Sequence, residues 1–363
     1  MAAWFGVAAG LTVLVAGLLA VALLVWRDRS GPGADGAVRV ATSTVAEASE
    51  RSGETSTGSS VPPGEQAVPV VGRGADLHAA ACGGTLVLAS VSAPVTDPGL
   101  VEVSGVAVSA DGVAWVVNDS GDSARVFGLR PAEGGTLAVQ TVTVTGAENV
   151  DWEDVAIGPG SAEPVLWLAD TGDNLGVRPT VTLYRVPVPA PEATAVAAEA
   201  VTVTYPDGPH DVEAVVAEPD GAVVLLTKEP GRSRAYRVAP DGAGRLRPVS
   251  LAEAVGEFPV GDGTTSVLTA ADLSADGSTV VLRTYGSVFV AAVPEDRTWP
   301  ESLADPAVRC RALPPMELQG ESVGLLPDAG GYVSVGEAPV RTSPPSWPPT
   351  RDLNRDPTGS EVC

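Results

Sequence analysis

From residue 79 to about residue 345 the chain alternates short apolar runs with turns rich in glycine, aspartate and proline, and five of the runs open alike. Ser104, Glu153, Glu213, Thr269 and Glu321 each stand at the head of an apolar run, and Asp111, Gly160, Asp220, Asp276 and Asp328 mark a tight turn seven residues later. A second apolar run follows each turn and ends in polar residues. Apolar runs of this length bounded by turn residues read as strands. A unit that returns every 50–60 residues or so has the period of a propeller or another repeat array.

Each unit divides into four strands. In the second they fall at 153–157, 165–169, 181–186 and 200–205; in the third at 212–217, 223–227, 235–238 and 248–251. Four strands per unit is a propeller blade. The fifth unit has strands at 322–326 and 331–335 before prolines intervene, whereas the run 85–91 stands alone at the start of the domain. Used as the outer edge of the last blade, 85–91 closes the ring and covers an exposed strand edge. The expectation is therefore an all-β, five-bladed β-propeller over 79–345; six blades result if the two flanking segments build another. With 4% aromatics, 41 glycines and 32 prolines, the composition suits many short strands joined by turns.

The flanks read differently. Residues 4–25 form an uncharged apolar run long enough to cross a bilayer as a helix, so 1–28 is expected to be a transmembrane anchor. Residues 29–78 mix Gly, Ser, Thr, Pro and Glu without apolar periodicity and read as a flexible linker; 346–363 reads as a proline-rich tail. Arg27 and Arg29 just after the span argue for a cytoplasmic domain. The Ser/Thr-rich stalk, the acidic surface and cysteines able to pair argue for the outside, and an extracytoplasmic domain on a single-pass membrane protein is expected. Cys82, Cys310 and Cys363 allow three pairings for one disulfide; ring closure could bring Cys82 and Cys310 together, and buried free thiols are the alternative.

A net charge of −23 leaves no basic footprint for nucleic acid. It suits cations or basic partners, or serves solubility alone. In an antiparallel hairpin the start of the first strand faces the end of the second, so the unit heads and the second-strand ends gather at one mouth. The metal-ligating candidates there are Glu153, Glu213, Glu321, Asp151, Asp211 and Asp170; the ligand-binding candidates are Asn118, Asp119, Lys228, Arg283, Tyr285 and Glu337. Such a ring offers the several oxygen ligands that calcium takes, and uncompensated carboxylates so close together have raised pKa values. Lys228, the only lysine, and Arg283 occupy what read as equivalent strand ends. They either grip an anion or form rim ion pairs, Lys228 with Glu213 or Glu229 and Arg283 with Asp272. His210, beside Asp211, is a candidate acid or base. No zinc motif, phosphate-cradling loop or nucleophile elbow is present.

The segments Asn118-Asp-Ser-Gly-Asp122, Asp151-Trp-Glu-Asp154, Ala169-Asp-Thr-Gly-Asp-Asn174, Asp211-Val-Glu-Ala214, Arg283-Thr-Tyr285 and Gln319-Gly-Glu321 resemble those of actinobacterial membrane-anchored propeller proteins over about 98–340. More distantly, the acidic blade openings are similar to those of β-propeller phytases and the esterase-like phytase superfamily. That resemblance implies calcium at the mouth, metal-ligand roles for Glu153, Glu213 and Glu321, and phosphoesterase activity. The departures are five blades rather than six, Thr269 in place of an acid, and only Lys228 and Arg283 as basic residues. Two readings follow: a binding module for a small-molecule, phosphate-containing or protein ligand, and a metal-dependent phosphoesterase. A purely structural domain is the third.

Overall fold

The computed structural model describes residues 40–45, 77–91, 97–132, 136–241, 246–261, 266–312 and 320–335. The expected span, most of the expected linker, Glu337, Cys363 and the tail lie outside them. No helix among the described residues is long and apolar enough to cross a membrane.

The fold is all-β and propeller-like, with five sheets. Strand β1 (Val40–Val45), helix α1 (Leu77–Gly83) and strand β2 (Leu86–Val91) come first in the chain. The first sheet follows as β3 (Val103–Val108), β4 (Ala114–Asn118), β5 (Arg125–Ala132) and β6 (Thr136–Thr145). The second holds β7 (Trp152–Gly158), β8 (Val165–Asp170) and β9 (Val181–Pro187), then, after the short β10 (Ala195–Ala197), β11 (Glu199–Thr204). The third holds β12 (Val212–Ala217), β13 (Val223–Thr227) and β14 (Arg232–Val238), then, after the short β15 (Val249–Leu251), β16 (Glu253–Pro259). The fourth has β17 (Leu268–Leu273), β18 (Thr279–Thr284) and β19 (Ser287–Ala292), helix α2 (Trp299–Ala304), and β20 (Arg309–Ala312). The last opens with β21 (Gly324–Leu325) and β22 (Gly331–Val335) and is completed by β1 and then β2.

The run 85–91 thus forms the outer strand of the closing sheet, as its position suggested. The third strand of that sheet is β1, which lies within the segment expected to be linker. Its polar Ala-Thr-Ser-Thr interior carries no apolar alternation, so only pairing to two neighbours reveals it as a strand. A second difference concerns 248–251. Val249–Leu251 pairs in parallel with β11 of the preceding sheet, and β16 is the outer strand of its own. Because β16 is exposed along most of its length, its hydrophobic pattern is weak. β10 reaches back to β6 in the same manner, and each such strand covers an otherwise open edge.

Inner strands β4, β8, β12 and β13 are buried along their whole length, because both faces of each sheet pack on neighbouring sheets. β3 lies against β7, β7 against β12, β12 against β17, β17 against β21, and β21 against β3, closing the ring. One apolar cluster fills each of the five junctions. Trp115, Trp152 and Tyr184 anchor the one between the first and second sheets; Phe127 and Val333 meet where the last sheet returns to the first. Two carboxylates, Asp154 buried and Asp272 partly buried, tie inner strands together. Asp154 on β7 accepts the amide of Val215 on β12 at 2.9 Å, and Asp272 on β17 accepts the amide of Leu325 on β21 at 2.7 Å. A Cys82–Cys310 disulfide joins α1 to β20 across 228 residues.

Candidate functional site, an acidic mouth

The recurring polar residue at each strand head has a structural cause. In four inner strands the ladder slips by one residue where that residue stands: Ser104 in β3, Glu153 in β7, Glu213 in β12 and Thr269 in β17. A bulge of this kind places an extra residue in one strand and re-aims its side chain. All four side chains are buried. Ser104 Oγ donates to Glu153 Oε2 at 3.3 Å, Lys228 Nζ donates to Glu213 Oε1 at 2.7 Å, and Thr269 Oγ1 donates to the Gly320 carbonyl at 2.8 Å.

Carboxylates gather around these heads in two triads that share Glu153. Oxygens of Asp119, Asp151 and Glu153 lie within 4.8 Å of one another, as do those of Glu153, Asp211 and Glu213. Backbone pairing holds the rim in register: the Asp119 amide donates to the Glu102 carbonyl, the Thr171 amide to that of Asp151, and the Lys228 amide to that of Asp211. The crowding extends to Gly172, where a Cβ would displace the ends of the Glu153 and Asp151 side chains. The loop after β8 leans on the mouth through the Asp173 amide, which donates to Asp211 Oδ1 at 2.8 Å.

Burial raises every one of these carboxylates. Asp151 is pushed up to about 6 by burial and then by the Asp119 charge. Glu153 is held well above the ordinary range by burial and then by Glu213, Asp119 and Asp151. Glu213 is pushed up to about 8 by burial, against the pull of Lys228. Asp119 and Asp211 rise for the same first reason. Lys228 is the one cation in an ion pair with any of the five among the described residues. Burial works against its charge, but Glu213 outweighs it and its pKa rises. Five acids and one base so close together form a site short of positive charge.

The remaining candidates fall into place around this set. Glu321 is near enough for its charge to act on Asp119, Glu213 and Tyr285. Asp170 lies outside both triads; Arg178 Nη2 donates to its Oδ1 at 2.9 Å and the Asp151 amide donates to the same oxygen at 3.1 Å. Asn118, buried at the end of β4, donates through Nδ2 to the Gly99 carbonyl and to Asp122, both at 2.7 Å. Tyr285 is partly exposed, and Lys228 Nζ lies 5.6 Å from its ring centroid.

Arg283 is not at the Lys228 position. Val212 pairs with Thr227 and Leu268 with Thr284, so Tyr285 is the equivalent of Lys228. Arg283 lies within β18, 1% exposed, and donates through Nη1 to Ser334 Oγ on β22 at 2.8 Å. A Cβ on residue 320 would run into its guanidinium, which accounts for Gly320. Asp272, expected as its partner, accepts backbone amides of Leu273 and Leu325. His210 is likewise held elsewhere than beside Asp211: its Nε2 lies 2.9 Å from Asp207 Oδ1 and 2.8 Å from the Tyr236 hydroxyl, with its ring stacked on Tyr236. The packing of residues 205, 210 and 236 had no sequence signal, because it joins the end of one sheet to the middle of the next.

No protein-family model matches the chain, and no curated protein does. Among solved structures the chain is similar to a putative 6-phosphogluconolactonase from Bacteroides uniformis, at 17% identity over 83% of this chain and 75% of that one, with a TM-score of 0.34. It is also similar to the periplasmic gluconolactonase of Pseudomonas aeruginosa (18%, 82% and 75%, TM-score 0.35). A calcium structure of a family AA12 carbohydrate-active enzyme from Trichoderma reesei stands at 13% identity, 70% and 84% coverage, and a TM-score of 0.39. At this distance the likenesses bring no activity to this chain. What its own fold and site define is an all-β, propeller-like protein with an acidic mouth.

Proposed function

We propose that the five sheets are the blades of a five-bladed propeller serving as a binding module, with a divalent cation such as calcium held at its mouth. The observation that carries this is the pair of carboxylate triads sharing Glu153. The donor set fits a hard cation. It is all carboxylate oxygen, without histidine or thiol, and calcium takes six to eight or so such ligands. Asp119, Asp151, Glu153, Asp211 and Glu213 would hold the ion, and its charge would relieve the repulsion and burial that raise their pKa values. Lys228 and Tyr285 at the same rim suit a bound group that carries negative charge or hydrogen-bond acceptors.

Titration calorimetry with calcium, on wild type and Glu153→Gln, tests the reading. A saturable heat lost in the variant is expected, and no calcium response in wild type would sink it. Phosphomonoester assays in the same samples address the metal-dependent phosphoesterase, whose support is the Lys228 ammonium beside the acids. With Arg283 inside β18, Lys228 is the one of the two basic candidates left at the mouth, and turnover is not expected.

The tether belongs to the same proposal. Residues 4–25 are read as an uncleaved span holding the module outside the cytoplasm. Since β1 begins at Val40, about 14 residues separate the proposed span from the first strand of the module. Protease protection of the module in intact cells would contradict the outside orientation.

A further inference from the structure

We propose that the mouth face rests on the bilayer that holds the tether, with Leu175 and Val177 entering the lipid interface. Seven large apolar or aromatic side chains are exposed among the described residues. Five of them, Val101, Val150, Leu175, Val177 and Tyr285, stand on segments that join strand ends at the acidic mouth: 101 leads into β3, 150 into β7, 175 and 177 lie between β8 and β9, and 285 lies between β18 and β19. The other two, Val249 and Leu251, lie on β15 at the edge of the second sheet. The turns at the far end of the inner hairpins, at Asp111, Ser161, Asp220, Asp276 and Asp328, carry none. Exposed apolar residues scattered singly need no explanation, but a set gathered on one face marks a surface that something covers.

The foremost of them are built in, not frayed out. Leu175 and Val177 are 84% and 66% exposed, yet the turn that carries them is pinned. The Asp173 carboxylate accepts the amides of Val177 at 2.9 Å and Arg178 at 2.7 Å, the Gly176 amide donates to the Asp173 carbonyl at 2.7 Å, and Arg178 Nη1 donates to the Gly172 carbonyl at 2.7 Å. A turn so held displays two apolar side chains to water at a standing cost unless they meet an apolar phase. Which phase follows from where the chain enters the module. Val40 opposes Val335, whose amide donates to Ser322 Oγ beside Glu321, so β1 begins at the mouth and runs away from it. About 14 residues separate Val40 from the proposed span at 4–25, so the tether is attached at the rim that carries the apolar side chains. Attachment there makes docking an intramolecular event, for which a weak apolar contact suffices. A net charge of −23 is repelled by anionic lipid, and a zwitterionic phospholipid interface is the surface this rim fits.

The inference deepens the tether reading and rests on it, but not on calcium. The full chain is reconstituted in phosphatidylcholine vesicles containing a nitroxide-labelled lipid, in a Cys363→Ser background, with a fluorophore on Leu175→Cys at the mouth face or on Ser161→Cys at the opposite face. Interfacial insertion reaches only about 5–10 Å, so quenching at 175 is expected to exceed that at 161 at least about threefold. With the fluorophore on Val150→Cys instead, Leu175→Asp and Val177→Asp together are expected to remove most of the quenching. Equal quenching at 175 and 161 in a chain that resists alkaline carbonate extraction overturns the proposal, leaves the tether standing and gives the rim to a protein partner. Unchanged quenching at 150 in the folded double variant overturns it as well. A chain that carbonate washes off the vesicles overturns the tether reading itself, and the docking with it.

Discussion

Asp272 offers a quantitative test of the buried carboxylates. It is partly buried on β17, accepts the amides of Leu273 and Leu325, and desolvation pushes its pKa up to about 7 from an ordinary 3.8. The native state therefore keeps its proton through a range in which the unfolded chain has lost it. Stability from this group is fully present below about pH 4 and is lost as pH rises toward 7. The slope is about 1.4 kcal/mol per pH unit, and over roughly three units the loss is on the order of 4 kcal/mol. Glu153 and Asp154, also raised, add to the loss in the same direction. Urea unfolding between pH 4.5 and 7.5, with chelator present, should show stability falling with pH by more than one proton's worth. Asp272→Asn cannot titrate, so its slope should be smaller by about one proton. Its stability at the acid end should be lower by roughly 1–3 kcal/mol, since one of the two amides loses its acceptor. Stability that rises with pH in wild type, or an unchanged slope in the variant, would refute the reasoning.

Three further outcomes are expected. Lys228→Met removes the cation that pulls against burial at Glu213, so this carboxyl, already pushed up to about 8, should keep its proton to higher pH; by chemical denaturation the variant should lose about 1.4 kcal/mol more at pH 9–10 for each unit that the pKa rises, and show little of this loss at pH 6, where Glu213 is protonated with or without its partner. Cys82→Ser removes a cross-link over 228 residues and should cost up to about 5 kcal/mol in the chain-entropy account; a reductant should lower the Tm of wild type but not of the variant. Calcium affinity measured by calorimetry should weaken as pH falls through about 6, because Asp151 and Glu153 then hold protons that the ion must displace.

The parts of the molecule legible in its sequence were those where periodicity and chemistry coincide. A polar residue at the head of an otherwise apolar strand, as in Ser104-Gly-Val-Ala-Val or Glu213-Ala-Val-Val-Ala, marks both the repeat and the mouth. The bulge that turns each of these side chains is a pairing property and leaves no mark in a single strand. The same limit explains Arg283 and Tyr285: the residues Arg-Thr-Tyr end a strand, but only the ladder shows that Tyr285 matches Lys228 while Arg283 points toward Ser334. β1 escaped notice because its polar composition acquires meaning only between β22 and β2. Asn118 was visible as a site residue, whereas its hydrogen bond to the Gly99 carbonyl, nineteen residues away in the chain, was not.

One cation is expected where the two triads meet. A crystal structure grown in calcium tests it most directly. The expected result is an ion bound by Glu153 together with oxygens from at least three of Asp119, Asp151, Asp211 and Glu213, at about 2.3–2.6 Å. A mouth holding no ion under saturating calcium, with Glu153 still hydrogen-bonded to Ser104 and Glu213 to Lys228 as they are here, would contradict it.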